Sequence, residues 1–166
     1  YFLARAGIDV LLVDREVFPR EKICGDGLAS RALAVLECMG LGDWLRGFPE
    51  PEVMLLSSPN GESVRIRPER PEGFSYGRVI PRLRLDEAVV ERAMVAGARL
   101  LDGTKVTSLE QRKGRLHLRG LGNGSTSSPQ GGQIVHLNAR LAIAADGGQV
   151  SFTRRLGLVR RPPDLV

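Results

Sequence analysis

The stretch IDVLLVDREVFPREKICGDGL, residues 8–28, decides the fold. Its first seven residues are almost wholly apolar until Asp14, the pattern of a buried parallel strand that delivers one charged group at its carboxyl end. In open α/β sheets that end of the strand borders the ligand crevice. Upstream, YFLARAG reads as the last turns of a helix closed by Gly7, because glycine best tolerates the left-handed geometry that follows a helix end. Downstream, a turn rich in Pro, Lys, Cys and Gly leads to apolar residues at helical spacing between Leu28 and Met39, which stop at Gly40.

Moving outward, a short helix is predicted near residues 41–45. After Pro49 and Pro51 the pattern changes to alternation: EVMLLSS and SVRIRP flank Pro59-Asn60-Gly61 and read as an antiparallel hairpin, with a further strand in YGRVIP. The segment RLRLDEAVVERAMVAGA, residues 82–98, puts Leu85, Val89 and Ala93 on one helix face and ends near Gly97. The strand RLLDGTKVTSLEQ follows, broken at Asp102-Gly103, and then GRLHLRG and GGQIVHLNA flank a segment poor in apolar residues. Finally, ARLAIAADGG supplies a second apolar strand ending in an acid, Asp146.

This pattern predicts an α/β chain: a Rossmann-like nucleotide-binding domain with an inserted antiparallel β-rich subdomain. Residues 1–50 form the first part of the former, 51–81 begin the insert, and 82–166 continue the nucleotide-binding domain with a flexible hairpin tip at 121–133. The start at Tyr1, with only a helix tail before the first strand, reads as a piece of a longer protein.

The bulk composition narrows the function classes. A chain of 166 residues with 42% hydrophobic content can bury a core. No apolar run approaches the roughly 20 residues of a membrane-spanning helix. Lys and Arg exceed Asp and Glu by 24 − 19 = 5, yet only 5% of residues are aromatic. Nucleic-acid binding, which relies on stacking aromatics beside basic residues, is therefore not expected. An anionic cofactor or an anionic lipid surface accounts better for the charge. Cys24 and Cys38 form no CxxC pair and have no histidines at metal-ligand spacing, so no metal site is expected. The sheet pattern suggests a cytoplasmic protein with reduced thiols.

Asp14 stands where dinucleotide-binding folds place an acid to accept hydrogen bonds from an adenosine ribose. A carboxylate offers several lone pairs in one plane for two adjacent hydroxyls, although a strand-terminal Asp is equally a common turn former. Gly25 and Gly27 beside Cys24 allow a ligand to approach the backbone closely. The alternative is a helix-entry loop with the Cys as a small hydrophobe.

The motif FPREKICGDGL, residues 18–28, resembles the Pro, Lys, Cys-Gly-x-Gly motif of the geranylgeranyl reductase family of FAD-dependent oxidoreductases, which share the p-hydroxybenzoate hydroxylase fold. Two further stretches are similar to that family. VIPRLRLDEAVVERAMVAGARL matches its Arg-x-x-Leu/Phe-Asp helix opening, and ARLAIAADGGQVSFTRRLGL its Ala-Asp-Gly motif, departing from it at Val150 and Thr153. The resemblance implies FAD as cofactor and NAD(P)H or another reductant as electron donor. It puts Asp14 on the ribose, and Cys24, Gly25 and Gly27 along the flavin. Arg82 falls on the pyrophosphate, which a guanidinium can bind with two parallel bonds. Val106 passes the adenine, Asp146 and Gly147 lie near the pyrophosphate, and Asp86 is expected to cap or charge the first turn of its helix.

The resemblance implies an oxidoreductase that reduces isolated double bonds of a prenyl chain in a lipid or quinone, with peripheral association with a membrane. The same fold hosts flavin monooxygenases and halogenases, since fold alone does not specify chemistry. A third reading is a truncated, non-catalytic flavoprotein piece, because the family's glycine loop and its later Gly-Asp-Ala motif are not in this sequence.

Overall fold

The computed structural model describes residues 1–23, 26–66, 77–122 and 132–145. Of the predicted site residues, Cys24, Gly25, Asp146 and Gly147 lie outside these segments. The chain divides into two compact units, one of residues 1–10 and 18–99 and the other of residues 11–17 and 100–166.

In the first unit, α1 (Phe2–Arg5) is followed by β2 (Gly27–Ala29), α2 (Ser30–Cys38) and α3 (Gly42–Leu45); β1, which belongs to the other unit, is described below. The ribbon of β3 (Met54–Ser57) and β4 (Ser63–Ile66) comes next, then β5 (Gly77–Val79) and α4 (Arg82–Val95). Leu28, expected to open the helix, lies instead in β2, which pairs antiparallel with β5, Gly27 opposite Val79 and Ala29 opposite Gly77. Helical spacing is the same on either side of the boundary, and only the distant partner strand draws Leu28 out of the helix. The approach is close: a Cβ on Gly77 would collide with the Leu28 carbonyl oxygen. The expected hairpin around residues 59–61 is present, with Leu56 opposite Val64 and Ser57 opposite Ser63.

The core of this unit joins α2, α3, the residue after β5 and α4 through Leu33, Leu36, Met39, Leu45, Ile80 and Leu85, with Trp44 and Phe48 packed against it and set edge-to-face on each other. The end of α2 shows how sequence and packing cooperate. Gly40 has φ +80°, and the next residue, Leu41, donates its N–H to the Leu36 carbonyl, which is the closing bond of a Schellman motif. Arg92 of α4 then donates Nε to the Met39 carbonyl at 2.8 Å, supplying a cation where the helix leaves its carbonyls unpaired. The expected stop at Gly97 has the same form, with φ +102° and Ala98 N–H on the Ala93 carbonyl.

The second unit contains β1 (Leu11–Val13), most of β6 (Arg99–Leu101), β7 (Thr104–Arg112), β8 (Arg115–Gly122) and β9 (Ile134–Ala139). β1 pairs with β6. Arg99 N–H donates to Val10 O, and Asp14 N–H to Leu101 O. The partners thus advance together along both strands, as in a parallel ladder. The predicted break at Asp102-Gly103 separates β6 from β7. β7, β8 and β9 form an antiparallel meander, irregular after Val106, where Thr107 is passed over in the register. Leu121 and Gly122 belong to β8, and Gly122 N–H donates to the Gln133 carbonyl; the rest of the expected hairpin tip lies outside the described residues.

Of the expected strand ARLAIAADGG, the described residues 141–145 form no strand, and Leu141 and Ile143 are exposed. An apolar run becomes a strand only where a neighbour supplies hydrogen-bond partners, and no described strand runs beside this one. The mixture of helices, a parallel pair and antiparallel sheets agrees with the α/β expectation.

Candidate functional site

In the second unit, the strand-terminal acid is held from three directions. The Asp14 main chain donates to Leu101 O and accepts from Thr104 N–H at 2.8 Å. Its side-chain Oδ1 accepts the Glu16 N–H at 3.0 Å, closing the turn that a short acid favours at a strand end. The turn-forming role is therefore realised, and it fixes the direction of the carboxylate. An ionised carboxylate has about four lone-pair sites, so the Glu16 bond does not by itself exhaust its capacity to accept from hydroxyl donors. The Thr104 bond leads directly into β7, whose third residue is Val106, opposite Gly120 and beside the irregularity. Gly120 is required there by space: a Cβ would come within 2.7 Å of the buried Thr104 side chain.

In the first unit, Gly27 and Arg82 are brought to one end of the β2–β5 pair. Gly27 faces Val79, Ile80 N–H donates to Asp26 O at 2.8 Å, and Pro81 opens α4 at Arg82. Gly27 is exposed, its φ is not positive, and a Cβ would meet nothing within 4 Å. Neither backbone conformation nor packing among the described residues calls for glycine at this point, whereas close approach of a bound molecule would.

The charged centre of this unit was only half legible from sequence. Arg82 makes a two-pronged contact with Asp86 one helical turn later, Nε to Oδ1 at 3.0 Å and Nη2 to Oδ2 at 2.8 Å. Arg20, from the FPREK segment, donates Nη1 to the same Oδ2 at 2.8 Å. All three side chains are largely buried, with 13% exposure at Asp86, 17% at Arg82 and 18% at Arg20. Asp86 therefore does not cap the helix, as the sequence suggested. The position before Arg82 is Pro81, and the first turn contains no acid. The carboxylate instead gathers two guanidiniums. Arg20 also lies over the Phe18 ring, 5.1 Å from its centroid, a stacking that further fixes the guanidinium. Arg20 was missed because it is 66 residues from Asp86; its place in the Pro-Arg-Glu-Lys run was the available signal.

Beside this cluster an apolar recess of about 340 Å³ opens between α2 and α4, lined by Leu28, Ala32, Val35, Leu36, Leu85 and Val89 among others, with Asp86 at its edge. Among the described residues no group of His, Cys, Asp and Glu could hold a metal ion.

A family profile described as "FAD binding domain" matches residues 1–164. The chain belongs to this FAD-binding family. The resemblance read from the motifs is thus borne out. Over 154 residues the chain is 36% identical to the menaquinone reductase of Mycobacterium tuberculosis (strain ATCC 25618 / H37Rv), covering 93% of this chain and 35% of that protein. It is 30% identical over 168 residues to digeranylgeranylglycerophospholipid reductase 1 of Methanopyrus kandleri, covering 94% and 38%. Among solved structures, a geranylgeranyl bacteriochlorophyll reductase-like protein from Thermoplasma acidophilum superposes with TM-score 0.71 at 21% identity, over 94% of this chain and 37% of that one. The myxobacterial chondrochloren halogenase CndH superposes with TM-score 0.74 at 22% identity, over 92% and 35%. These two likenesses establish the fold, that of the p-hydroxybenzoate hydroxylase-like flavoproteins. The chain spans about a third of the length of these relatives.

The described residues fit FAD. In the first unit, Gly27 leaves open space at the backbone among the described residues and two guanidiniums are held on Asp86, donors of the kind an anionic diphosphate takes; in the second unit, considered by itself, Asp14 presents a carboxylate at a strand end.

Proposed function

We propose that this chain is the FAD-binding part of an oxidoreductase that reduces isolated double bonds of a prenyl chain in a lipid or quinone. The observation that carries the reading is the 36% identity to menaquinone reductase across 93% of the chain, joined by the 30% identity to a digeranylgeranylglycerophospholipid reductase. Both relatives are reductases, and their named substrates are a quinone and a geranylgeranylated lipid.

In this reading Asp14 accepts hydrogen bonds from the adenosine ribose, and Val106 offers main-chain groups to the adenine. Arg82, held by Asp86 and seconded by Arg20, binds the diphosphate. Gly27, with Cys24 and Gly25, lets the flavin approach the backbone, and Asp146 and Gly147 complete the diphosphate side. FAD, when bound and reduced by NAD(P)H or another donor, supplies a hydride to one alkene carbon while a proton reaches the other. The protein's share is to orient the cofactor, hold its charge and keep water away. Asp86 matters here because a guanidinium fixed in advance gives up little freedom on binding an anion. A prenyl lipid also implies work at a membrane surface.

The rival reading, a flavin-dependent monooxygenase or halogenase, is favoured by neighbours such as CndH and the monooxygenase PieE, but those likenesses speak to fold. Incubating the full-length protein with a geranylgeranyl lipid and a reductant, followed by mass spectrometry, separates the two. Gain of hydrogen pairs is expected. A hydroxylated or chlorinated product with oxygen consumption, or no gain with any prenyl substrate, refutes the reductase.

A further inference from the structure

The β7–β8–β9 meander has two chemically different faces, because side chains alternate along each strand. One face carries the half-buried Leu116, Leu118, Val135 and Leu137. The register fixes the composition of the other. Lys105 lies opposite Leu121, which lies opposite Ile134; Arg119 lies opposite His136; Glu110 lies opposite His117; and Arg112 lies opposite Arg115. All of these residues are exposed. Four basic side chains against one acid give this face a charge of 4 − 1 = +3, the larger part of the +5 of the whole chain. Glu110 pairs with Arg112, so Lys105, Arg115 and Arg119 are the cations that this acid does not neutralise.

Within the basic field stands an apolar pair. Leu121 and Ile134 are cross-strand partners, 45% and 47% exposed, with Lys105 on one side and Arg119 and His136 next along the same face. The described part of the face holds no Phe, Tyr or Trp, the large rings on which nucleotide bases chiefly stack. An acidic protein would match the charge alone. Apolar side chains ringed by cations match an interface in which anionic headgroups overlie hydrocarbon.

We propose that this face of the meander docks the protein on an anionic lipid bilayer, with Lys105, Arg115 and Arg119 on the headgroups and Leu121 and Ile134 at the acyl boundary. The choice of a bilayer rests on the prenyl-lipid reading, since such a substrate resides there; the charge and the apolar pair do not depend on it.

The test is co-sedimentation of the full-length, FAD-loaded protein with vesicles of mixed phosphatidylglycerol and phosphatidylcholine, and with vesicles of phosphatidylcholine alone. Binding to the anionic vesicles only is expected, weakening as salt rises. R115Q/R119Q should bind about 25-fold more weakly, from roughly fivefold per basic residue, with an unchanged thermal midpoint because both side chains are exposed. L121S/I134S should lose the binding that survives at high salt, and R31Q, outside the face, should bind as the wild type. Wild-type binding by R115Q/R119Q, or failure of the wild type to bind anionic vesicles while it is retained on an immobilised acidic protein, overturns the proposal. Turnover is measured separately on a short, detergent-dispersed prenyl substrate. Vesicle binding without any turnover refutes the reductase reading and leaves the docking face standing.

Discussion

Replacing Asp86 by asparagine keeps the shape of the side chain and removes its charge, which tests whether one carboxylate organises the cationic cluster. In the structure Asp86 accepts three bonds from two guanidiniums. Asparagine retains one acceptor oxygen, so part of the bonding survives as the weaker, neutral-acceptor kind, while the two guanidiniums lose the carboxylate they share. Removing one partner of a fully buried charge pair costs about 3–5 kcal/mol. With 13–18% of each side chain still exposed, solvent screening reduces this to about 2–3 kcal/mol. For a chain of 166 residues, at about 2–4 °C per kcal/mol, the thermal midpoint should fall by about 4–12 °C. The assay is thermal unfolding by circular dichroism for the wild type, D86N, R20M and the double variant. D86N should be more harmful than R20M, because both arginines bond to this carboxylate. The cycle should return a coupling energy of about 1 kcal/mol or more. A D86N variant within about 0.5 kcal/mol of the wild type, with no coupling to Arg20, would show that the three groups are solvated independently, and the account of the cluster would fall.

Two glycines, fifty residues apart, should behave in opposite ways. Gly77→Ala forces a Cβ into the Leu28 carbonyl and should destabilise the fold by about 1–3 kcal/mol, read from denaturant unfolding; an unchanged midpoint would mean that β2 and β5 do not approach so closely. Gly27→Ala meets nothing within 4 Å among the described residues, so it should leave stability within about 0.5 kcal/mol while weakening FAD binding in a fluorescence titration of the full-length apoprotein; equal affinity would remove Gly27 from the cofactor site. At Asp14, the asparagine variant should keep the turn, because an amide oxygen can still accept the Glu16 N–H, and alanine should cost about 1 kcal/mol. Both should lower FAD affinity if the carboxylate serves the ribose, and a loss seen with alanine alone would assign Asp14 to the turn only.

The residues whose conformation depends on near neighbours were readable in the chain itself. Gly40 and Gly97 marked helix ends because a left-handed residue is a local demand, Asp102-Gly103 marked the step between β6 and β7, and Pro59-Asn60-Gly61 marked the turn of the β3–β4 ribbon. The motifs in residues 18–28 and 79–100 were enough to indicate the family, since cofactor binding places particular residue types at set spacings. Pairing across distance was another matter. Leu28 entered a strand because β5 lies beside it, and residues 141–145 did not form one because no described strand does. Asp86 looked like a helix-start acid until Arg20, far away in sequence, was found on its second oxygen. The basic face of the meander could not be seen in a list of scattered Lys and Arg, because register alone decides which of them share a side. Backbone preferences act over a few residues and are written locally, whereas charge pairing and strand register arise only when the folded chain brings distant side chains within bonding distance.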